Sequence, residues 1–309
     1  MTNLQAIDRV GHRRLFIGRL RRYRFIYLML LPVALYFIVF SYYPMALGIV
    51  NSFQEIKLLG NSSFVGLKNY QKIFVSPVYT QAFYNTLIMG AGTFVLQTAW
   101  GLLLALYLNE IRSKPVKSAF QTISYIPYLL SWSVVGSMWI TILSPTGLMN
   151  GILAAFGAED FRKIVFMSEQ KYAQGIMIFT GAWKGAGYCA ALFLAAIVSI
   201  DPTLYEAASI DGASRLQQTA AITVPSIAST IKVVVVLGVM GLLRNFDQIY
   251  IMSNASILDK VRNLLYLIYT DGIVQFKIGI ASAAACVVLV ATMLITFVVR
   301  KAIHYDEIE

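Results

Sequence analysis

The sequence predicts an all-α, polytopic membrane protein with six transmembrane helices and both termini on the cytoplasmic face. Three observations carry this. Of 309 residues, 58% are hydrophobic and 13% are charged, against roughly 25% charged in a typical soluble domain. The apolar residues gather in six runs, each near the ~20 residues a helix needs to cross a hydrocarbon core. Basic residues favour one set of the segments between the runs. A soluble protein with an outsized core would not show runs of this length and number.

The first run is Phe25–Tyr43. It follows RRLFIGRLRRYR, which concentrates Arg13, Arg14, Arg19, Arg21, Arg22 and Arg24. The run is too long for a signal peptide and has no small-residue cleavage site, so it reads as an uncleaved span. Residues 1–24 read as a basic cytoplasmic segment that touches anionic membrane lipid. The other runs are Phe83–Leu108, Phe120–Leu143, Tyr172–Ile200, Ile227–Ile251 and Ile278–Val299. Gly, Ser, Thr and Pro interrupt them, as in helices packed on one another. The expected layout is a membrane domain over 25–299 and a cytoplasmic tail over 300–309.

Segments 1–24, 109–119, 201–226 and 300–309 hold thirteen Lys and Arg, against nine in 54–82, 144–171 and 252–277. That bias puts the first set inside. It also accounts for the net charge of +10 without a nucleic-acid partner. FVGLKNYQKIF (Phe64–Phe74) places Phe64, Leu67, Tyr70, Ile73 and Phe74 near helical spacing, which predicts a short amphipathic helix in the first outer loop. GLMNGILAAFG (Gly147–Gly157) predicts another in the second. Cys189 and Cys286 lie in apolar stretches and read as packing, with no disulfide or metal role.

One segment departs from the apolar theme: EAASIDGASRLQQTAAITVP, Glu206–Pro225. Asp201 and Pro202 make a helix start, an acceptor at the cap and proline in the first turn. Leu204, Tyr205, Ala207 and Ala208 continue a thin helix, which Gly212 breaks. Ser214 and Gln217 have capping-box spacing for a second helix. A plain connector needs only a few residues. A capped helix–turn–helix with a thin alanine face at Ala207, Ala208 and Ala213, and charge at Glu206 and Asp211, reads as a knob for a partner's groove.

Glu206, Ala207, Ala208, Gly212, Ile222 and Pro225 match EAA, three residues, Gly, nine residues, then I-x-x-P. This resembles the EAA loop of permease subunits of binding-protein-dependent ATP-binding cassette importers. Val224 stands where leucine is usual. The resemblance covers nearly the whole chain, through Phe64–Phe74, NTLIMGAGTFVLQTAWGLLLALYLN (Asn85–Asn109), the third span and its loop, and NFDQIYIMSN (Asn245–Asn254). It favours the carbohydrate branch, near oligosaccharide importers. It implies a coupling helix in a cleft of an ATPase, centred on Tyr205–Ser214 within loop 201–226. It further implies a second permease subunit, two ATPase subunits that bind ATP and Mg, an extracytoplasmic sugar-binding protein, and a bacterial plasma-membrane location. Glycerol phosphodiester or polyol uptake uses similar subunits and stays open.

Charges within spans should face a bundle, a wet path or each other. Lys184 falls mid-way in the fourth run. Arg244, Asn245, Asp247 and Gln248 cluster in the fifth, where helical spacing would put Arg244, Asp247 and Gln248 on one face. Trp183, Tyr188, Phe246 and Tyr250 lie close and could stack on sugar faces. Tyr125, Tyr128 and Trp132 are weaker candidates, since aromatics also form interface belts. A structural salt bridge with a snorkelling lysine reads equally well.

No catalytic set stands out. His12 and His304 lie in terminal segments, and the chain has no G-x-x-x-x-G-K-[ST] phosphate loop. It is not expected to be an enzyme or to hold a cofactor. An ion-coupled secondary transporter would need more mid-membrane carboxylates and usually repeated halves. A membrane scaffold would leave the buried polar cluster without a use.

Overall fold

The computed structural model describes residues 22–57, 61–156 and 164–303. Most of the basic N-terminal segment (Arg13, Arg14, Arg19 and Arg21 included), Gly157, both histidines and the end of the tail lie outside the described residues.

Helix α1 (Arg24–Phe37) passes through a π turn at Ile38–Tyr42 into α2 (Tyr43–Ser52). Pro44 explains the turn. It lacks an N–H and its ring crowds the carbonyl one turn back, so the ladder widens just before it. The same arrangement recurs at Thr219–Thr223, ahead of Pro225. No residue of α1 is buried; only α2 packs, against the last helix.

A two-stranded antiparallel ribbon, β1 (Gln54–Glu55) with β2 (Ser63–Phe64), leads to α3 (Lys68–Val75). This is the short helix expected in the first outer loop. It turns Asn69 and Ile73 inward and leaves Phe64, Leu67 and Phe74 exposed. Asn69 donates to the carbonyls of Ser52 and Gln54 at 3.0 and 2.9 Å, locking α3 to the end of α2.

Helix α4 (Pro77–Glu110) has 34 residues, about 51 Å at 1.5 Å per residue. Next come α5 (Lys114–Leu129) and α6 (Trp132–Ile142), which meet at 102°. The expected third run, Phe120–Leu143, is therefore not one straight helix. Pro127 removes a ladder bond and crowds the preceding turn, and Ser131 restarts the helix by accepting from the Val134 amide. The second expected loop helix is α7 (Leu148–Ala155).

Helix α8 (Gln170–Val198) is the hub, with thirteen buried residues. An added Cβ at Gly181, Gly185 or Gly101 would meet Thr93, Gln97 or Cys189 respectively. The paired positions advance together, so α4 and α8 run parallel. The chain between them must return, and it does so through the bent α5–α6 pair. Closeness on the other flank depends on Gly187, where a Cβ would sit 1.9 Å from the Ser124 carbonyl oxygen of α5.

After α8 come α9 (Pro202–Ile210), α10 (Arg215–Gln218), the π turn, α11 (Val224–Ser226) and α12 (Ala228–Gly241). The fifth run was expected to be helical from Ile227 to Ile251, but α12 stops at Gly241 and helix resumes only in α13 (Asp247–Met252). Side-chain amides hold the interruption: Asn263 donates to the Asn245 carbonyl, and Asn245 donates to Gln248 Oε1 at 2.6 Å. Arg244 thus lies in a break and does not share a helical face with Asp247 and Gln248. No salt bridge joins Arg244 to Asp247 among the described residues.

Short helices α14 (Leu258–Val261) and α15 (Leu264–Tyr269) precede α16 (Ile278–Ala302). Among the described residues, four helical units are long and apolar enough to cross a membrane, or up to six if each bent pair counts as one span. Three apolar clusters hold them together, around Leu243 and Ala283, around Met177 and Ile249, and around Phe193 and Ile227.

Candidate functional site

The polar island between α8 and α12 folds as its residues dictate. The Asp201 carboxylate accepts from the Thr203 amide at 2.9 Å, with Pro202 in the first turn. That bond to the backbone holds the Asp201 carboxyl below its ordinary range, because accepting an N–H favours the charged form. Gly212 takes φ +78°, the left-handed conformation glycine adopts at least cost, and its amide bonds to Ser209. Ser214 and Gln217 form both arms of a capping box.

The island leaves large apolar side chains exposed. Leu204, Ile210 and Leu216 are 48%, 86% and 83% exposed. Glu206, Ala207, Asp211, Gly212 and Ser214 are exposed beside them, while Ala208 and Ala213 are half-buried. The island is tied back to the bundle by Tyr205, whose hydroxyl meets that of buried Thr223. Gln218 donates to Ser209 Oγ and the Ala213 carbonyl, closing the turn. Pro225 is exposed at the foot of α12.

A cleft of about 410 Å³ opens between α4, α8, α12 and the α5–α6 break. Lys184 reaches across it. Its ammonium donates to the carbonyls of Pro127 and Tyr128, at 3.0 and 2.9 Å. Those carbonyls belong to the last turn of α5, whose final carbonyls lack partners within the helix. A cation there also complements the helix dipole. The ammonium stands over the rings of Tyr128 and Trp132, 5.5 and 5.6 Å from their centroids. Tyr188, one turn along α8, stacks on Tyr128 at 4.6 Å.

Of the nine sequence candidates for a path, Lys184, Tyr188, Asn245 and Gln248 line this cleft. Gln248 is fully buried and its amide donates to the Met177 carbonyl and to Thr180 Oγ, both at 2.7 Å, so it holds α13 against α8. Trp183 packs edge-on against Trp139, away from the cleft. Phe246 and Tyr250 form a separate aromatic cluster with Tyr269. Asp247 is exposed at the start of α13, and Arg244 faces a different groove, beside α16. Tyr128 and Trp132, given less weight from sequence, lie at the centre of the cleft. Pro127 was the signal that could have raised them, since a broken helix needs a donor for its carbonyls.

Sequence reasoning also missed Asn85. Fully buried on α4, it donates to the carbonyls of Asp259 and Arg262 and accepts from Gln81 and Gln174, each at 3.0 Å. It pins α14, at Asp259 and at its C-cap Arg262, onto the bundle.

A multi-pass helical bundle with a capped loop projecting between two helices and a polar cleft at its centre is the architecture of a transport permease. Residues 97–303 match the family described as "Binding-protein-dependent transport system inner membrane component", and the chain belongs to that family. It is an inner-membrane permease component of an ATP-binding cassette importer. The polygalacturonan/rhamnogalacturonan transport system permease protein YteP of Bacillus subtilis (strain 168) is 36% identical over 299 residues, covering 94% of this chain and 92% of the relative. The arabinooligosaccharides transport system permease protein AraP of the same organism is 31% identical over 280 residues, covering 89% and 87%. The fold matches a chain in the crystal structure of a bacterial ABC transporter involved in the import of the acidic polysaccharide alginate. There the TM-score is 0.85 and the identity 31%, with 94% of this chain and 98% of that chain covered. A second structure of the alginate transporter, in complex with alginate pentasaccharide-bound periplasmic protein, gives 0.83 at 31% identity, covering 92% and 95%.

Proposed function

We propose that this chain forms half of the membrane path of an ATP-driven importer for an oligosaccharide. An extracytoplasmic binding protein delivers the sugar, a second permease subunit completes the path, and two ATPase subunits supply the energy by binding ATP and Mg. The exposed, doubly capped island supports this most directly. It offers exposed Ile210 and Leu216, with Glu206 and Asp211 beside them, and it is joined to the bundle through Tyr205. Apolar side chains this exposed suit a groove in a partner. The sugar-importing relatives support an oligosaccharide as cargo.

In this reading ATP-driven closure of the ATPase pair moves the island, and the island shifts the bundle between two states. The cleft beside Lys184 is the sugar path. Tyr128, Trp132 and Tyr188 present ring surface to the apolar faces of a sugar, and Asn245 presents polar groups to its hydroxyls. The test is co-purification of this chain with an ATPase and a second permease from cells expressing the whole system. ATP hydrolysis by that complex should rise when sugar-loaded binding protein is added. A complex lacking an ATPase, or one indifferent to loaded binding protein, would sink the proposal.

A further inference from the structure

We infer that the cleft selects oligosaccharides bearing carboxylates, and that Lys184 is the residue that senses the charge. This rests on the reading of the cleft as the sugar path. Among the described residues lining the cleft, Lys184 is the one charged side chain. It forms no ion pair with any described residue. Two carbonyls, of Pro127 and Tyr128, take two of its protons, and an ammonium has three to give.

The helix end and the rings favour a cation here, but the two hydrogen bonds by themselves do not require the charge. An amide nitrogen carries two hydrogens and could satisfy both carbonyls. Carbonyl dipoles and ring faces soften a cation but leave its formal charge in place. A cation kept inside a membrane protein without a counter-ion is costly, and such groups mark ligand or ion sites. A substrate carboxylate would supply the missing charge.

The surroundings fit a sugar acid better than a small anion. Tyr128 is 41% exposed, leaving ring surface beside the ammonium. A uronic-acid ring carries its carboxylate at the ring edge. Packed against the corner made by Tyr128, Trp132 and Tyr188, such a ring brings that carboxylate within reach of Lys184. Neutral sugars gain the stacking and not the ion pair.

The test uses the assembled transporter in nanodiscs, without binding protein, so that upstream selection plays no part. Saturation-transfer NMR compares a galacturonate trisaccharide with its carboxyl-reduced, neutral counterpart. The acidic sugar should bind about tenfold more tightly or better, the range of a hydrogen bond to a charged group. Lys184→Gln, which removes the charge and keeps an N–H donor one atom nearer α8, should abolish the preference, and Lys184→Arg should keep it. Equal binding of the two sugars by the unaltered complex, or a preference that survives Lys184→Gln, overturns the inference while leaving the path intact. If Lys184→Gln does not assemble, Lys184→Met, also uncharged and close to lysine in length, takes its place in the same comparison. If neither sugar binds the unaltered complex, the path reading fails and the inference falls with it.

Discussion

The hydroxyls of Tyr205 and Thr223 meet at 2.9 Å. Tyr205 sits on the projecting helix α9, and Thr223 is 3% exposed at the π turn that leads into α12. This bond joins the island to the foot of a membrane helix across 18 residues of sequence. A push on α9 therefore reaches α12 through a side chain as well as through the loop.

Replacing Tyr205 by Phe removes that bond and leaves the exposed apolar side chains in place. One neutral hydrogen bond contributes about 1 kcal/mol, so several-fold less sugar should be moved per ATP hydrolysed, with ATPase binding retained. Sugar uptake and phosphate release, measured together in proteoliposomes, give the ratio. Glu206→Ala and Gly212→Pro should weaken docking itself and lower both rates. An unchanged ratio in Tyr205→Phe would remove the bond from the coupling route.

Asp201 gives a second prediction, with a sign that can be worked out. Accepting the Thr203 amide lowers its folded pKa beneath the ordinary 3.8. The cap's contribution is then fully present above 3.8 and is lost as pH falls through the lower folded value. At neutral pH Asp201→Ala should speed hydrogen exchange in the first turn of α9, and Asp201→Asn should not, because asparagine also caps. Exchange mass spectrometry on peptides covering Thr203 reads both variants. Equal protection in the alanine variant would mean that the cap is dispensable.

Packing of α5 on α8 supplies the third. Gly187→Ala places a methyl 1.9 Å from the Ser124 carbonyl, a contact only a backbone shift can relieve. Overpacking of this kind costs about 1–3 kcal/mol. The shift would also carry Tyr128 away from Lys184, so transport should fall together with the melting temperature of the complex. Gly175→Ala, on the same helix with open space around it, should be neutral or slightly stabilising.

Gln248 and Asp247 are adjacent and should differ sharply in their weight on stability. Gln248→Ala leaves the Asn245 amide and Thr180 without their buried partner, a loss of roughly 1–3 kcal/mol. Asp247 is exposed, so Asp247→Ala should change the melting temperature far less. Thermal denaturation of the purified complex separates them. A larger loss for Asp247 would contradict the burial pattern.

Much of the architecture was legible because length and polarity report it directly. Asp201, Pro202, Gly212, Ser214 and Gln217 are residue types favoured at helix starts and turns, and each stands in such a position. The two breaks were hidden for the opposite reason. Leu129–Leu130 and Leu242–Leu243 are apolar whether helical or not, so hydropathy runs through them unchanged. Only Pro127, Ser131, Gly241 and Asn245 mark the places where the backbone leaves the helix. The cleft followed from those breaks, which is why Lys184 could be named from the sequence while its carbonyl partners could not.

The bond from Lys184 to the end of α5 also spans a delay in synthesis. Pro127 leaves the ribosome 57 residues ahead of the lysine that satisfies its carbonyl. Until Lys184 arrives, the bent segment has stray carbonyls and no business in lipid; without that segment, the lysine would enter as a bare cation. Neither piece suits the bilayer alone. The two therefore answer each other's need only in the folded bundle, and a chain ending between them would leave the carbonyls of Pro127 and Tyr128 without the donor they have here.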